Sequence, residues 1–181
     1  MIYLGHGASG NAESMKPHIA GLAKRGLEAH SVPAAGKLPN GAERAMPLFR
    51  QVLADHPGSI LGGHSYGGRV ASMVAAEAGS PGSGVPAGAV AGLVLFSYPL
   101  HRPGHPDQLR TAHWPSIKCP VLLLSGESDP FARIELMRHW AGTLESGELV
   151  TYPGVGHGFP RHAAALNDAL DRVAAFAQRI G

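Results

Sequence analysis

The sequence predicts an α/β protein, in which a six-stranded, mostly parallel sheet is the middle layer of a three-layer α/β/α sandwich. Short apolar runs alternate with helix-like segments along the chain, and this alternation is typical of parallel strands joined by crossover helices. The runs Leu93–Phe96 and Val121–Leu124 contain no polar residue, as expected of strands that helices cover on both faces. The 181 residues suit one domain, residues 1–181.

Six strands are predicted from the apolar runs and from the turn residues that bound them. The runs within 89–97 and 120–125 are the most apolar and are expected inside the sheet. The strand of residues 28–33 is expected at a sheet edge, where it is free to pair with a second copy of the chain in a homodimer. The predicted strands are residues 1–5, 28–33, 58–63, 89–97, 120–125 and 147–152.

Five helices are predicted between and after these strands. Ser14 is placed to cap the first helix, and Gly26 follows its end. Asn40 and Glu43 resemble a capping box before the second helix, although Pro47 inside that pattern must shift its start or kink it. The predicted helices are residues 15–25, 41–55, 66–78, 132–143 and 161–179.

Charge and cysteine content exclude several classes of function. Fifteen Lys and Arg against 13 Asp and Glu give a formal net charge of +2, and the basic residues are scattered, so nucleic-acid binding is not expected. The single cysteine, Cys119, excludes an internal disulfide and is expected to pack. The opening residues MIYLGHG have neither the basic region nor the long apolar run expected of a signal peptide, and no segment reaches the roughly 18 apolar residues of a membrane span. A cytoplasmic location away from membranes is the default expectation.

A glycine-flanked serine follows the third predicted strand. Gly63-His64-Ser65-Tyr66-Gly67 matches G-x-S-x-G and precedes a predicted helix, which is the context that gives this pattern meaning. The glycines allow a tight turn that presents the Ser65 hydroxyl at a helix N-terminus, where developing negative charge is stabilised. The pattern predicts a nucleophilic serine, and the alternative is a glycine-rich structural turn.

A nucleophilic serine needs a base to take its proton and a carboxylate to orient that base. Asp129 follows the fifth predicted strand and His157 follows the sixth, so both are expected at the same sheet edge as Ser65. The order Ser, Asp, His is the one that accompanies this serine motif. Glu127 is the alternative acid in the Asp129 loop, although its longer side chain would have to fold back to reach an imidazole.

The loop after the first strand, Gly5-His6-Gly7-Ala8-Ser9-Gly10, allows two interpretations. In the first, the backbone N–H groups of Ala8 and Tyr66 form an oxyanion hole over Ser65. In the second, the loop is a dinucleotide fingerprint, G-x-G-x-x-G, which requires an acidic residue at the end of the second strand. Glu28 begins that strand instead, so the oxyanion hole is favoured.

Histidines are numerous, 11 in all, and they raise the question of a metal site. His101, His105 and His113 lie within 13 residues, but the sequence offers neither Cys partners nor an H-E-x-x-H helix, so no metal is expected. Five histidines are expected at the surface: His18, His30, His56, His139 and His162.

Taken together, these motifs resemble the α/β-hydrolase family over essentially the whole chain. A closer likeness is to the small lidless hydrolases related to dienelactone hydrolase and to the testis-expressed and KAT8-complex hydrolase-like proteins. The segments that carry it are Ser97-Tyr98-Pro99-Leu100-His101, Pro103-Gly104, Leu109-Arg110-Thr111, Cys119-Pro120 and Gly126-Glu127-Ser128-Asp129-Pro130-Phe131.

The resemblance implies a minimal α/β-hydrolase fold without a lid domain and without a cofactor. Ser65 would be the nucleophile, Asp129 the orienting acid and His157 the base, with Ala8 and Tyr66 as oxyanion donors. The family sheet usually begins with two further strands, so the resemblance implies either a minimal six-stranded version or a start upstream of Met1.

The predicted activity is hydrolysis of small short-acyl esters through an acyl-enzyme intermediate, and the alternative is a non-catalytic interaction module. Only about 20 residues connect Tyr98 to Ile117, too few for a domain-like lid, so an open pocket is expected. Arg102 or Arg161 is expected to favour an anionic substrate. The residues predicted to line the substrate pocket are His6, His64, Tyr98, His101, Arg102, Phe131 and Phe159.

Overall fold

A sheet of six parallel strands forms the middle layer of the molecule, and a computed structural model describes all residues, 1–181. The strands are β1 (Ile2–Gly5), β2 (Ala29–Ser31), β3 (Ser59–His64), β4 (Val90–Phe96), β5 (Val121–Gly126) and β6 (Gly147–Tyr152). Their order across the sheet is β2-β1-β3-β4-β5-β6, and every pair is parallel. The predicted α/β sandwich with six strands is therefore confirmed, and short β2 lies at an edge.

Five helices cover the two faces of the sheet. They are α1 (Lys16–Ala23), α2 (Ala42–Asp55), α3 (Tyr66–Ala76), α4 (Ile134–Ala141) and α5 (Ala163–Ile180). Short 3₁₀ turns occupy Ala12–Met15, Trp114–Ser116 and Phe159–Arg161. None of the helices is both long and apolar enough to cross a lipid bilayer.

Successive residues of the interior strands point to opposite faces and build two separate cores. Leu93 and Leu95 of β4 pack in a cluster with residues of α2, α3 and α4, whereas Val94 and Phe96 pack with residues of α1 and α5. Each fully buried aliphatic side chain contributes about 1.5–3 kcal/mol. This two-sided burial explains why the β4 and β5 runs contain no alternating polar residue.

Two predicted helix starts differ from the structure. The hydroxyl of Ser14 lies within a 3₁₀ turn and donates to the Asn11 carbonyl at 2.6 Å instead of capping α1. The capping box at Asn40 and Glu43 is wrong, because Gly41 occupies the N-cap with φ +89° and no side chain caps the helix. Helix α2 continues through Pro47, whose exposed position leaves the apolar face of the helix intact.

The chain changes direction between β1 and β3, which are neighbours in the sheet. From β1 the chain moves outward to β2 at one edge, and from β3 it proceeds through β4 and β5 to the other edge. Ligands of open α/β sheets bind outside the carboxyl ends of the strands at such a switch point. The loop after β1 and the turn after β3, which carries Ser65, flank this position.

Candidate active site

Ser65 lies in a strained turn between β3 and α3. Its φ is +52° and its ψ is −113°, a conformation that costs a non-glycine residue about 1–3 kcal/mol. The turn is held from both sides, because the Ser65 N–H donates to the Phe96 carbonyl at 2.8 Å and the Ser65 carbonyl accepts from the Arg69 N–H at 3.0 Å. Strain held by surrounding hydrogen bonds is typical of a functional residue.

The glycines on either side of Ser65 are required by the close approach of β1. A Cβ on Gly63 or on Gly67 would overlap the backbone of Gly5. The G-x-S-x-G spacing thus brings the start of α3 against the end of β1, which places the Ser65 turn beside the loop that follows Gly5.

Ser65, His157 and Asp129 form a continuous chain of hydrogen bonds. Ser65 Oγ lies 2.7 Å from His157 Nε2, and His157 Nδ1 lies 2.7 Å from Asp129 Oδ2. Because an ionised carboxylate only accepts hydrogen bonds, Nδ1 carries the ring proton and Nε2 accepts from the serine hydroxyl. The three residues follow β3, β6 and β5, so the carboxyl edge of the sheet brings them together.

The Asp129 carboxylate is fully buried and both of its oxygens are engaged. Oδ1 accepts from the Phe131 N–H at 2.8 Å, while Oδ2 faces His157. Glu127, the alternative acid, is directed elsewhere, because its Oε1 accepts from Arg138 and from Thr151, each at 2.8 Å. In the structure, Asp129 is the carboxylate that meets the imidazole.

Two further histidines hold the loops around this chain of hydrogen bonds. His64 Nε2 donates to the His157 carbonyl at 2.7 Å, and burial lowers the pKa of His64, although that hydrogen bond partly opposes the shift. His6 is buried, donates from Nδ1 to the Gly7 carbonyl at 2.8 Å and accepts at Nε2 from the Leu38 N–H at 3.1 Å. Both imidazoles therefore bind the backbone of the loops that surround Ser65.

The backbone N–H groups of Ala8 and Tyr66 are available beside Ser65. The Ala8 N–H has no partner within the protein, and Tyr66 begins α3, so its N–H has no intrahelical partner. The Tyr66 hydroxyl donates to the Pro39 carbonyl at 2.6 Å. Both residues line the cavity described next.

A cavity of about 510 Å³ opens above Ser65. No aspartate or glutamate lines it. Its wall contains the polar or charged side chains of Ser65, His157, His64, His18, Arg69 and Arg110, together with Phe131 and two prolines. The Ser65 hydroxyl is hydrogen-bonded to an imidazole, which is hydrogen-bonded in turn to a buried carboxylate. This arrangement can transfer a proton from the hydroxyl, and the free N–H groups beside it can stabilise an oxyanion.

The family model of an alpha/beta hydrolase domain matches residues 2–180. This chain belongs to the alpha/beta hydrolase family. Among solved structures, a predicted CIB-like hydrolase from Thermoplasma acidophilum is 18% identical with a TM-score of 0.74, covering 98% of this chain and 86% of that one. A butyrate-bound esterase from Thermogutta terrifontis is 19% identical with a TM-score of 0.72, covering 99% and 83%.

A third solved structure with a similar fold is the monoacylglycerol lipase of Paleococcus ferrophilus. It is 16% identical with a TM-score of 0.68, and the match covers 94% of this chain and 93% of that one. At these identities the likeness concerns the fold. The shared fold agrees with the parallel sheet between helices that this chain forms.

In this alpha/beta hydrolase, two of the seven residues expected to contact substrate line the cavity. His64 borders it, and the Phe131 ring lies over His157 with 4.3 Å between ring centroids. The other five do not line it, which corrects the expectation. They are His6, Tyr98, His101, Arg102 and Phe159.

The contacts of these residues explain why they lie outside the cavity; those of His6 are given above, and the other four follow. The Tyr98 hydroxyl donates to the Arg110 carbonyl at 2.6 Å, and His101 accepts from the Arg133 N–H at 2.9 Å, which ties two loops together. Phe159 is fully buried and packs on Phe96. Arg102 is exposed. Tyr98, His101 and Phe159 are buried inside the protein, which removes them from contact with a substrate.

Other positions also differ from expectation. His18, expected at the surface, is buried, lines the cavity and has no partner at either ring nitrogen; burial lowers its pKa to about 4. Glu28 precedes β2 at the amino edge of the sheet, opposite the glycine loop, which argues against dinucleotide binding. Cys119 packs against the core, and burial raises its pKa to about 11.

Sequence reasoning missed the two cavity arginines. Arg69 lies four residues after Ser65 on α3, and this spacing places both on one helix face, which is a signal present in the sequence. Arg110 lies in a loop and enters the cavity through contacts distant in sequence.

Proposed function

We propose that this alpha/beta hydrolase is a serine esterase that hydrolyses small, short-acyl carboxylic esters through an acyl-enzyme intermediate. The observation that carries the proposal is the hydrogen-bonded chain from Ser65 Oγ through His157 to the buried Asp129, built on a serine with φ +52°. A His157–Asp129 pair with only a structural role would not need a serine in a strained backbone conformation at a helix N-terminus beside it.

In the proposed first step, Ser65 Oγ attacks the ester carbonyl carbon while His157 Nε2 takes the hydroxyl proton. Asp129 stabilises the imidazolium, and the Ala8 and Tyr66 N–H groups bind the oxyanion of the tetrahedral intermediate. The intermediate collapses, the alcohol leaves with the proton from His157, and Ser65 is acylated. Water, deprotonated by His157, then releases the acid and regenerates the serine.

The preference for short acyl groups is supported by the size of the cavity and by the short connection above it. The connection from β4 to β5 contains only a 3₁₀ turn, Trp114–Ser116, and no inserted helical layer. A cavity of about 510 Å³ suits a small ligand. The same short connection supports a place among the lidless hydrolases related to dienelactone hydrolase.

The test is hydrolysis of p-nitrophenyl acetate and butyrate, together with covalent labelling by a fluorophosphonate probe. We expect turnover and labelling in the wild type and loss of both in Ser65→Ala, with unchanged circular dichroism. Ser128→Ala, which removes an exposed serine beside Asp129, is the matched control. A folded wild type that neither turns over nor labels overturns the proposal and favours a non-catalytic interaction module.

A further inference from the structure

Arg69 and Arg110 are two partly buried arginines that lack a carboxylate partner. The Arg69 side chain makes no hydrogen bond, and its Nε is inaccessible to solvent. Arg110 makes a single side-chain hydrogen bond, from Nη1 to the Pro99 carbonyl at 3.3 Å. Every other arginine either pairs with an aspartate or glutamate or is exposed. A partly buried charge without a counter-charge is costly, and binding of an anionic ligand would offset that cost.

Both arginines line the cavity that contains Ser65. No carboxylate lines that cavity, and burial lowers the pKa of both His18 and His64, so these two imidazoles are neutral near pH 7. Burial, and after it the nearby positive charges of Arg69 and Arg102, lower the pKa of Arg110. The cavity wall is therefore positive beside the serine.

The backbone holds both arginines in place before any ligand arrives. Arg69 lies one helical turn beyond Ser65, and its N–H donates to the Ser65 carbonyl at 3.0 Å. The Arg110 carbonyl accepts from the buried Tyr98 hydroxyl at 2.6 Å. With the backbone fixed and the side chains partly buried, fewer torsions have to be ordered when an anion binds than for a side chain on a mobile surface loop.

We propose that Arg69 and Arg110 form a recognition site for an anionic oxygen group of the substrate, so that the preferred esters carry a second, charged end. This inference rests on the proposed esterase function and specifies its substrate class. A guanidinium group fits a carboxylate or a phosphate through two parallel N–H···O hydrogen bonds. The expected substrates are monoesters of short dicarboxylic acids, or their phosphate-bearing counterparts.

The first experiment compares kcat/KM for anionic and neutral esters of equal length. Monomethyl succinate, glutarate and adipate are paired with methyl butyrate, valerate and hexanoate, and the length with the largest ratio gives the spacing between Ser65 and the anion site. We expect the anionic member to be preferred at one length at least. Arg69→Gln or Arg110→Gln should lower that ratio about 10- to 100-fold, the range for a hydrogen bond to a charged group.

Two further variants separate recognition from folding and from net charge. Arg69→Lys keeps the charge without the planar fork and should keep part of the preference. Arg172→Gln removes an exposed charge of α5 that pairs with Asp168 and should leave the ratio unchanged. If the wild type hydrolyses neutral esters at least as well as anionic ones at every length, the anion site is overturned and the esterase function stands.

The second experiment measures binding without turnover. Calorimetry with the Ser65→Ala protein compares glutarate, inorganic phosphate and methyl valerate, and the stronger of the first two identifies the anion. Adding Arg69→Gln should weaken anion binding at least about tenfold. Anion binding to Ser65→Ala together with a wild type that hydrolyses no ester would support the anion site and overturn the esterase function, whereas no binding of either anion would overturn the site.

Discussion

His64 and His157 are joined by a hydrogen bond from the His64 imidazole to the His157 backbone carbonyl, with 2.7 Å between Nε2 and the oxygen. Their rings lie 5.2 Å apart between centroids. This contact links the turn that presents Ser65 to the loop that presents its base. The spacing between hydroxyl and imidazole thus depends on a residue that touches neither reacting atom.

Substituting His64 should slow the proposed reaction without abolishing it. His64→Ala removes a neutral hydrogen bond, which contributes about 0.5–1.5 kcal/mol, so we expect kcat to fall about three- to tenfold with little change in KM. His64→Gln, whose amide N–H is able to donate to the same carbonyl, should recover part of the loss. Equal kcat values in both variants and the wild type, from steady-state kinetics, would contradict the positioning role.

Asp129 and Glu127 provide a matched pair of carboxylates in one loop. Asp129→Asn should lower kcat about 10⁴-fold, as in other Ser-His-Asp sites, because the amide favours the wrong imidazole tautomer. Glu127→Gln should leave kcat close to that of the wild type, since Glu127 contacts Arg138 and Thr151 instead of His157. Comparable losses in both variants would show that the carboxylate roles are misassigned.

Gly67→Ala tests the close contact between α3 and β1. The added methyl group would overlap the Gly5 backbone, which cannot move without disturbing the sheet, so the free energy of unfolding should fall by at least about 1–3 kcal/mol. Gly158→Ala is the control, because its φ is −118° and a Cβ there has no neighbour closer than 3.8 Å. Urea unfolding of the two variants measures the difference, and equal midpoints would refute the packing argument.

His18 should make the protein less stable in mild acid. Its pKa falls from 6.5 to about 4 in the folded state because burial disfavours the charged form. Above pH 6.5 both states are neutral; as the pH falls below 6.5, the unfolded chain gains a proton that the folded chain does not. The free energy of unfolding therefore decreases with falling pH and levels off below about pH 4, a loss of about 3 kcal/mol.

His18→Leu should reduce this pH dependence, as measured by urea unfolding at pH 7 and pH 4.5. The dependence should not vanish, because burial and Arg69 also lower the pKa of His113 to about 4. His139→Gln, an exposed histidine of α4, is the control. An unchanged difference between the two pH values in His18→Leu would show that His18 is not the titrating group.

The strand pattern and the serine motif were predictable because their causes are local. An apolar run covered on both faces needs no distant information, and the glycines around Ser65 reflect one tight turn. The ends of β5 and β6 then determined the region in which Asp129 and His157 meet Ser65, because parallel strands share an edge. Their catalytic roles stay predictions that the kinetics above address.

One error arose from a local turn, and the others arose where distant residues decide the outcome. Gly41 replaced the expected capping box because its positive φ, +89°, turns the chain into α2 without a side-chain cap. His18 is buried because it packs on Phe96 of β4 with 4.7 Å between ring centroids, a contact 78 positions away in the numbering. Arg110 reaches the cavity through the loop that Tyr98 anchors, and no local pattern indicates that path.

The placement of His157 after the last strand has a consequence for synthesis on the ribosome. A nascent chain that ends before β6 already contains Ser65 and Asp129 but has no imidazole to join them. Helix α5 follows His157 in the chain. Arg25, two residues after the end of α1, binds this helix, because its guanidinium donates to the Asp171 carboxylate at 2.7 Å and to the Asn167 carbonyl at 2.9 Å. Under the proposed mechanism, hydrolysis would begin only after His157 and α5 have left the exit tunnel and folded onto the sheet, so a nascent chain that has exposed only β1 to β5 would be inactive.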